Sequence, residues 1–197
     1  LHSDTHSFPT RRSSDLEVQP LLVQFVNRLG QSKPIYEAFK QIHVGADWES
    51  LDPAQQRIVE SSIREAELSG VGLEGEAKER FNEIQQALAE LSTKFSNNVL
   101  DATKGFNLTL TKPEDIEGLP PSLLALAAQA AREDGAENAT AESGPWRITL
   151  DYPSYIPFLQ HSRRRDLREK IYRAFITRAS EGDLDNTANI ERILELR

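Results

Sequence analysis

From Val18 onward, large apolar side chains recur at intervals of three and four, broken by glycines and prolines. Val18, Leu21, Leu22, Phe25, Val26 and Leu29 form one helical stripe that Gly30 closes. Pro34 suits the first turn of a second helix carrying Ile35, Phe39 and Ile42 and ending near Gly45. A third helix starts from Asp52 as N-cap, with Pro53 at N1 and Gln55 placed to complete a capping box. Ile58, Val59, Ile63 and Ala66 are its inward face, and Gly70 and Gly72 end it.

The longest pattern follows. Phe81, Ile84, Leu88, Leu91, Phe95, Val99 and Ala102 keep one stripe through Arg80–Phe106, opposite Lys78, Glu79, Glu83, Gln86, Glu90, Lys94 and Asn97. Burying such side chains is worth roughly 1.5–3 kcal/mol each. Ordering the backbone costs at least as much, so this helix requires a partner surface.

After Gly105 the period drops to two. Phe106, Leu108 and Leu110 alternate with Asn107, Thr109 and Thr111, and Trp146, Ile148, Leu150 and Tyr152 repeat the alternation. The two segments are expected to pair antiparallel, with Pro153 ending the second. Between them lie a short turn at Thr111, Pro113 and Glu114, an alanine-rich helix over Pro121–Arg132 and a polar loop. A last full helix over Arg163–Ser180 turns Leu167, Ile171, Ala174 and Phe175 inward before Gly182. The fold class that follows is mainly α, with one small antiparallel β ribbon.

Leu1–Leu16 carries neither period. His2 and His6 have the i, i+4 spacing of a zinc-peptidase helix, but Ser3 stands where the glutamate of H-E-x-x-H belongs, and Pro9 and the serines disfavour a helix. The stretch resembles translated sequencing-adapter read-through; a disordered native tail is the alternative, and both readings keep it out of the fold. The expected organisation is therefore a non-native or disordered tail over 1–16 and one helical region over 17–197. Position 1 is not methionine, and the spacing of Ile190, Ile193 and Leu194 runs on with no capping glycine, so both ends are expected to be cut.

Composition narrows the chemistry. The 197 residues are 38% hydrophobic and 27% charged, with a net charge of −8, which disfavours nucleic acid and anionic membranes as partners. There is no cysteine, hence no disulfide and no thiolate chemistry, which fits a cytoplasmic protein. The basic stretch Arg163, Arg164, Arg165, Arg168, Lys170, Arg173 and Arg178 reads as a solvated helix face, balanced by Asp166 and Glu169. Gly70–Gly75 matches the letters of G-x-G-x-x-G, but a helix, not a strand, precedes it, so it reads as a turn. His43 and His161 are single histidines, and Glu65 and Glu67 point to different helix faces. The sequons at Asn107 and Asn138 read as chance matches without a secretory signal. No catalytic, metal-binding or substrate-binding residue is assigned.

Four stretches carry a resemblance: "AELSGVGL", "ELSTKFSNNVLDATKGF", "LDYPSYIPFL" and "LREKIYRAFITRAS". In this order and spacing, across Val18–Arg197, they resemble the thimet oligopeptidase and oligopeptidase A family of zinc metallopeptidases, with the bacterial oligopeptidase A type the nearest likeness. The resemblance implies a neurolysin-like fold in which an N-terminal helical region and a catalytic region enclose a channel for short peptides. It implies one zinc ion held by H-E-x-x-H and a further glutamate, all beyond Arg197, and a glutamate acting as general base. By family the chain is then part of a metalloendopeptidase of peptide breakdown, inactive alone, with oligopeptides and its own catalytic domain as partners. The long helix and β ribbon would serve as channel wall. A stand-alone helical interaction module is the alternative, decided by whether the coding sequence continues into H-E-x-x-H.

Overall fold

The computed structural model describes residues 11–197, with side chains from residue 18 onward. The helices are α1 (Arg11–Gly30), α2 (Lys33–His43), α3 (Pro53–Leu68), α4 (Gly75–Gly105), α5 (Pro121–Glu133), α6 (Tyr152–His161), α7 (Arg165–Ile176) and α8 (Thr187–Leu196). Strands β1 (Leu108–Leu110) and β2 (Trp146–Ile148) form a two-stranded sheet. The chain is thus mainly helical with one antiparallel ribbon, as the two periods require. The described residues divide into two compact units, one up to Leu91 and one over Ser92–Glu195, with α4 supplying residues to both.

The first unit begins differently from expectation. Arg11–Leu16, set apart in the sequence, are the opening turns of α1; His2 and His6 lie outside the described residues. Pro20 sits inside α1 and withholds one backbone donor. The apolar stripe of α1 is also not the face that is covered. Val18, Leu21, Leu22, Phe25, Val26 and Leu29 are all exposed, whereas Gln19, Pro20, Val23, Asn27 and Gly30 are partly buried. On the covered side Gly30 lies against Ser69, where a Cβ would meet the serine side chain at 2.9 Å, and Gln19 donates to the Ala89 carbonyl at 3.1 Å.

The capping box of α3 forms as the sequence requires. Asp52 accepts from the amides of Ala54 and Gln55 at 2.8 and 2.9 Å, while the Gln55 side chain accepts from the Asp52 amide at 3.0 Å. Val59 is buried and Ile63 and Ala66 are half-buried, but Ile58 is exposed, so the inward face of α3 is narrower than its apolar stripe. The buried hydrophobic residues described in this unit are Val59 and Val71.

The second unit holds the core. Leu108 and Leu110 point the same way from β1, and Trp146 and Ile148 from β2, in the register Leu108↔Ile148 and Leu110↔Trp146. The alanine face of α5 packs on the ribbon because Ala127, Ala128 and Ala131 let the helix backbone approach closely. Leu123, Leu150, Tyr155, Phe158 and Ile171 complete the cluster. Tyr152, expected inward on the second strand, instead opens α6 and is exposed. Its neighbour Pro153 occupies the first turn of that helix, where a missing amide donor costs nothing. The structure thus adds α6, which the two prolines at 153 and 157 disguise. The last predicted helix is also shorter: α7 stops at Ile176, before Ala179 turns to a φ of 56°.

At the chain end, the covered face of α8 is polar. Asn189 is buried while Ile190 and Leu194 are exposed. The cause is a polar knot. Asn186 donates to the Phe95 carbonyl at 3.1 Å and accepts from Asn98 at 3.0 Å and Asn189 at 2.8 Å, which draws the asparagine face onto α4.

Candidate functional surface

The residues with chemical potential are dispersed. His43 packs edge-on against Trp48, ring centroids 4.5 Å apart, which makes it a packing residue at the end of α2. His161 is exposed at the end of α6. The Gly70–Gly75 turn joins α3 to α4 with no strand before it, as expected of a helix-to-helix connection. Glu67 accepts from the Tyr36 hydroxyl at 2.9 Å, and that carboxylate raises the phenol above its ordinary pKa. Glu65 is exposed on α3 and takes no part in this contact. Among the described residues, no group of three or more His, Asp or Glu side chains could hold a metal ion.

The basic stretch is largely committed to partners. Arg164, at the start of α7, pairs with Asp115 and with Asp166, the latter at 2.7 Å. Donation from Arg164 is the main force that lowers the Asp166 carboxyl to about 2, assisted by the Leu167 amide. Arg173 pairs with Glu169 at 2.8 Å, one turn back on the same helix. Arg163 lies 3.9 Å from Glu117. The Arg164–Asp115 pair clamps the 3-10 turn at Pro113–Ile116 to the α6–α7 junction. The tight path there also needs Gly118, which has a φ of +85° and lies under the His161 carbonyl.

Away from this clamp, where the start of α6 meets the end of α7, lies an aromatic stack. Tyr155 stacks on Phe175 at 4.2 Å with an interplanar angle of 15°, and Tyr152 meets the same ring edge-on at 6.0 Å. The Arg178 guanidinium sits 3.8 Å from the Phe175 centroid. Tyr152, Tyr172 and Ile176 expose apolar area around it. Such a surface can bind apolar or aromatic groups by contact, and it carries no nucleophile-and-base pair. Sequence periodicity missed this stack because α6 was hidden by its prolines; the Y-x-x-Y spacing of Tyr152 and Tyr155 was its available signal.

Residues 4–78 match the family model described as "Neurolysin/Thimet oligopeptidase, N-terminal domain". The chain belongs to this oligopeptidase family. Among its relatives is a probable cytosolic oligopeptidase A of Arabidopsis thaliana, 59% identical over 189 residues, which cover 96% of this chain and 27% of that protein. The organellar oligopeptidase A (chloroplastic/mitochondrial) of the same plant is also 59% identical, over 96% of this chain and 24% of that protein. Oligopeptidase A of Escherichia coli (strain K12) is 37% identical over 96% of this chain and 28% of its own length. The chain spans about a quarter of the length of the curated relatives it matches. No helix among the described residues is long and apolar enough to cross a membrane.

Proposed function

We propose that this chain is the non-catalytic helical part of a zinc-dependent metalloendopeptidase that hydrolyses short peptides, and that it does not cleave peptides alone. The supporting observation is the 59% identity to an oligopeptidase A across 96% of the chain, which spans only 27% of that protein. The residues present here do not fit the family's zinc ion, because the described His, Asp and Glu side chains form no cluster that could hold one. No catalytic step is therefore derived from them. The residues over 17–197 act in this reading as scaffold, preceded by the opening turns of α1 over 11–16. The long helix α4 and the β1–β2 ribbon contribute to the wall of a peptide channel and limit what enters. The compartment in this reading is the cytoplasm, and the partners are oligopeptides and the catalytic part of the same enzyme.

The test has two arms. Purified 197-residue chain is incubated with short fluorogenic peptides, with and without a chelator, and its zinc content is measured. No cleavage and negligible zinc are expected; chelator-sensitive cleavage by pure chain would overturn the proposal. For the wall, Leu88→Ala with Leu91→Ala, placed at the equivalent positions of a complete relative, is expected to relax the upper size limit of cleaved peptides. An unchanged limit in a stably folded variant removes the wall role.

A further inference from the structure

In the first unit two polar stripes border one open space. Gln24, Asn27 and Gln31 recur at helical spacing along α1 and the residue after it, with Arg28 beside them. On α4, Lys78, Asn82 and Gln86 follow at four-residue intervals and share one face. Together with Glu83 and the Ser32–Pro34 start of α2, these residues line a cavity of about 720 Å³. That volume lies within the roughly 300–1,000 Å³ of small-ligand sites. Such sites are ordinarily lined by apolar side chains, but here Pro34 is the single apolar residue of the described lining. The cavity therefore suits a ligand that is polar along its length. Gln31 is only 6% exposed, and its side-chain nitrogen donates to Asn82 at 2.9 Å, which holds both carboxamides in the wall.

Charge sets the cavity apart from the rest of the chain. The net charge is −8, yet the lining carries the cations Arg28, Lys33 and Lys78 against one carboxylate, Glu83. Glu83 is engaged by Arg80 at 3.2 Å, and Lys33 by Glu74 at 2.5 Å. Among the described residues no carboxylate lies within ion-pair distance of Arg28 or of the half-buried Lys78. We propose that this cavity binds a short acidic peptide, with its carboxylates on Arg28 and Lys78 and its backbone amides on the surrounding Asn and Gln side chains. Each carboxamide offers a donor and an acceptor at once, the complement of a peptide group. Phosphate offers chiefly acceptors and leaves the carboxamide oxygens unpaired, which costs affinity. A neutral sugar leaves both cations unused, and a nucleotide base finds no aromatic platform in the lining. Ser32 adds a hydroxyl, since it makes no cap hydrogen bond to α2. This binding goes beyond the proposed enzyme reading and does not depend on it, because it requires no chemistry of these residues.

The test is an NMR titration of the isotope-labelled 197-residue chain with N-acetyl-glutamyl-glutamate. Three comparison ligands are run beside it: the neutral N-acetyl-glutaminyl-glutamine amide, glutarate and inorganic phosphate. The side-chain amide signals of Gln31 and Asn82 are expected to move saturably with the acidic peptide. Each comparison ligand is expected to bind about 10-fold more weakly or worse, having lost either the charges or the peptide groups. Lys78→Gln and Arg28→Gln, which keep side-chain bulk and remove charge, are each expected to weaken peptide binding by about 10-fold. Lys170→Gln, at an exposed position on α7, is the control and is expected to change nothing. Circular dichroism of every variant verifies the fold, and Arg28, being exposed, keeps the test available if Lys78→Gln unfolds. Four results would each overturn the proposal: no saturable binding, signals of Gln31 and Asn82 that stay in place, equal binding of glutarate or phosphate, or undiminished affinity in folded Arg28→Gln.

Discussion

The Asn186 side-chain amide donates to the Phe95 carbonyl at 3.1 Å, tying the start of α8 to the middle of α4. Its oxygen is already occupied, accepting from Asn98 and Asn189. One buried side chain thus satisfies two other amides and a helix carbonyl. Asn186→Ala strands those partners away from water and is expected to cost about 1–3 kcal/mol. Urea unfolding in a Trp48→Phe background, which leaves Trp146 as the fluorescent probe, measures the loss. Asn98→Ala, which frees one donor only, is expected to cost less.

The same substitution should behave oppositely on two helices. Phe158 on α6 is fully buried, and Phe158→Ala is expected to cost about 3–5 kcal/mol. Phe25 on α1 is exposed, so Phe25→Ala in the 197-residue chain is expected to change stability by about 0.5 kcal/mol or less. Denaturant midpoints of the two variants, compared side by side, give the contrast.

At the start of α3, Asp52 holds the amides of Ala54 and Gln55. Asp52→Ala is expected to remove about 1 kcal/mol of local stability. Amide hydrogen exchange at positions 54 and 55 should accelerate in that variant before exchange elsewhere in the unit changes.

The Asp166 carboxyl, held low by Arg164, is expected to titrate near pH 2 by NMR, against an ordinary value of 3.8. A carboxylate with a lowered pKa stabilises the folded state fully above its unfolded value. That contribution fades as pH falls from about 3.8 through 2. In Arg164→Ala the titration is expected to return toward 3.8. An unchanged low value would assign the shift to the Leu167 amide instead.

Gly118 has a φ of +85° and its α-carbon faces the His161 carbonyl. Gly118→Ala is expected to destabilise the chain by about 1 kcal/mol or more, from both strain and contact. Gly72, which has open space around it, is the control, since Gly72→Ala meets nothing.

Local signals were readable wherever the local rule and the tertiary context agreed. The Asp52–Gln55 capping box, the proline starts of α2, α3 and α5, and the antiparallel pairing of β1 with β2 all follow from residue type and spacing. The basic stretch was read as balanced by acids, and Asp166 and Glu169 do pair within it. The partner Asp115, however, comes from 49 residues away and has no signal in the sequence. The same limit hid the Tyr152–Tyr155–Phe175 stack, which required α6 to form and fold back on α7.

Sequence alone determined the starts of α2, α3 and α5, where the period changes to two, and which family the landmarks belong to, because these depend on neighbours a few residues apart. Tertiary structure decided which face of each helix is covered. On α1 the covered side carries Gln19 and Gly30 and the apolar stripe faces outward, and on α8 the Asn186 knot lies on the covered side while Ile190 and Leu194 are exposed. Periodicity reports that a face is apolar; only the surface that meets it determines whether that face is buried within the unit.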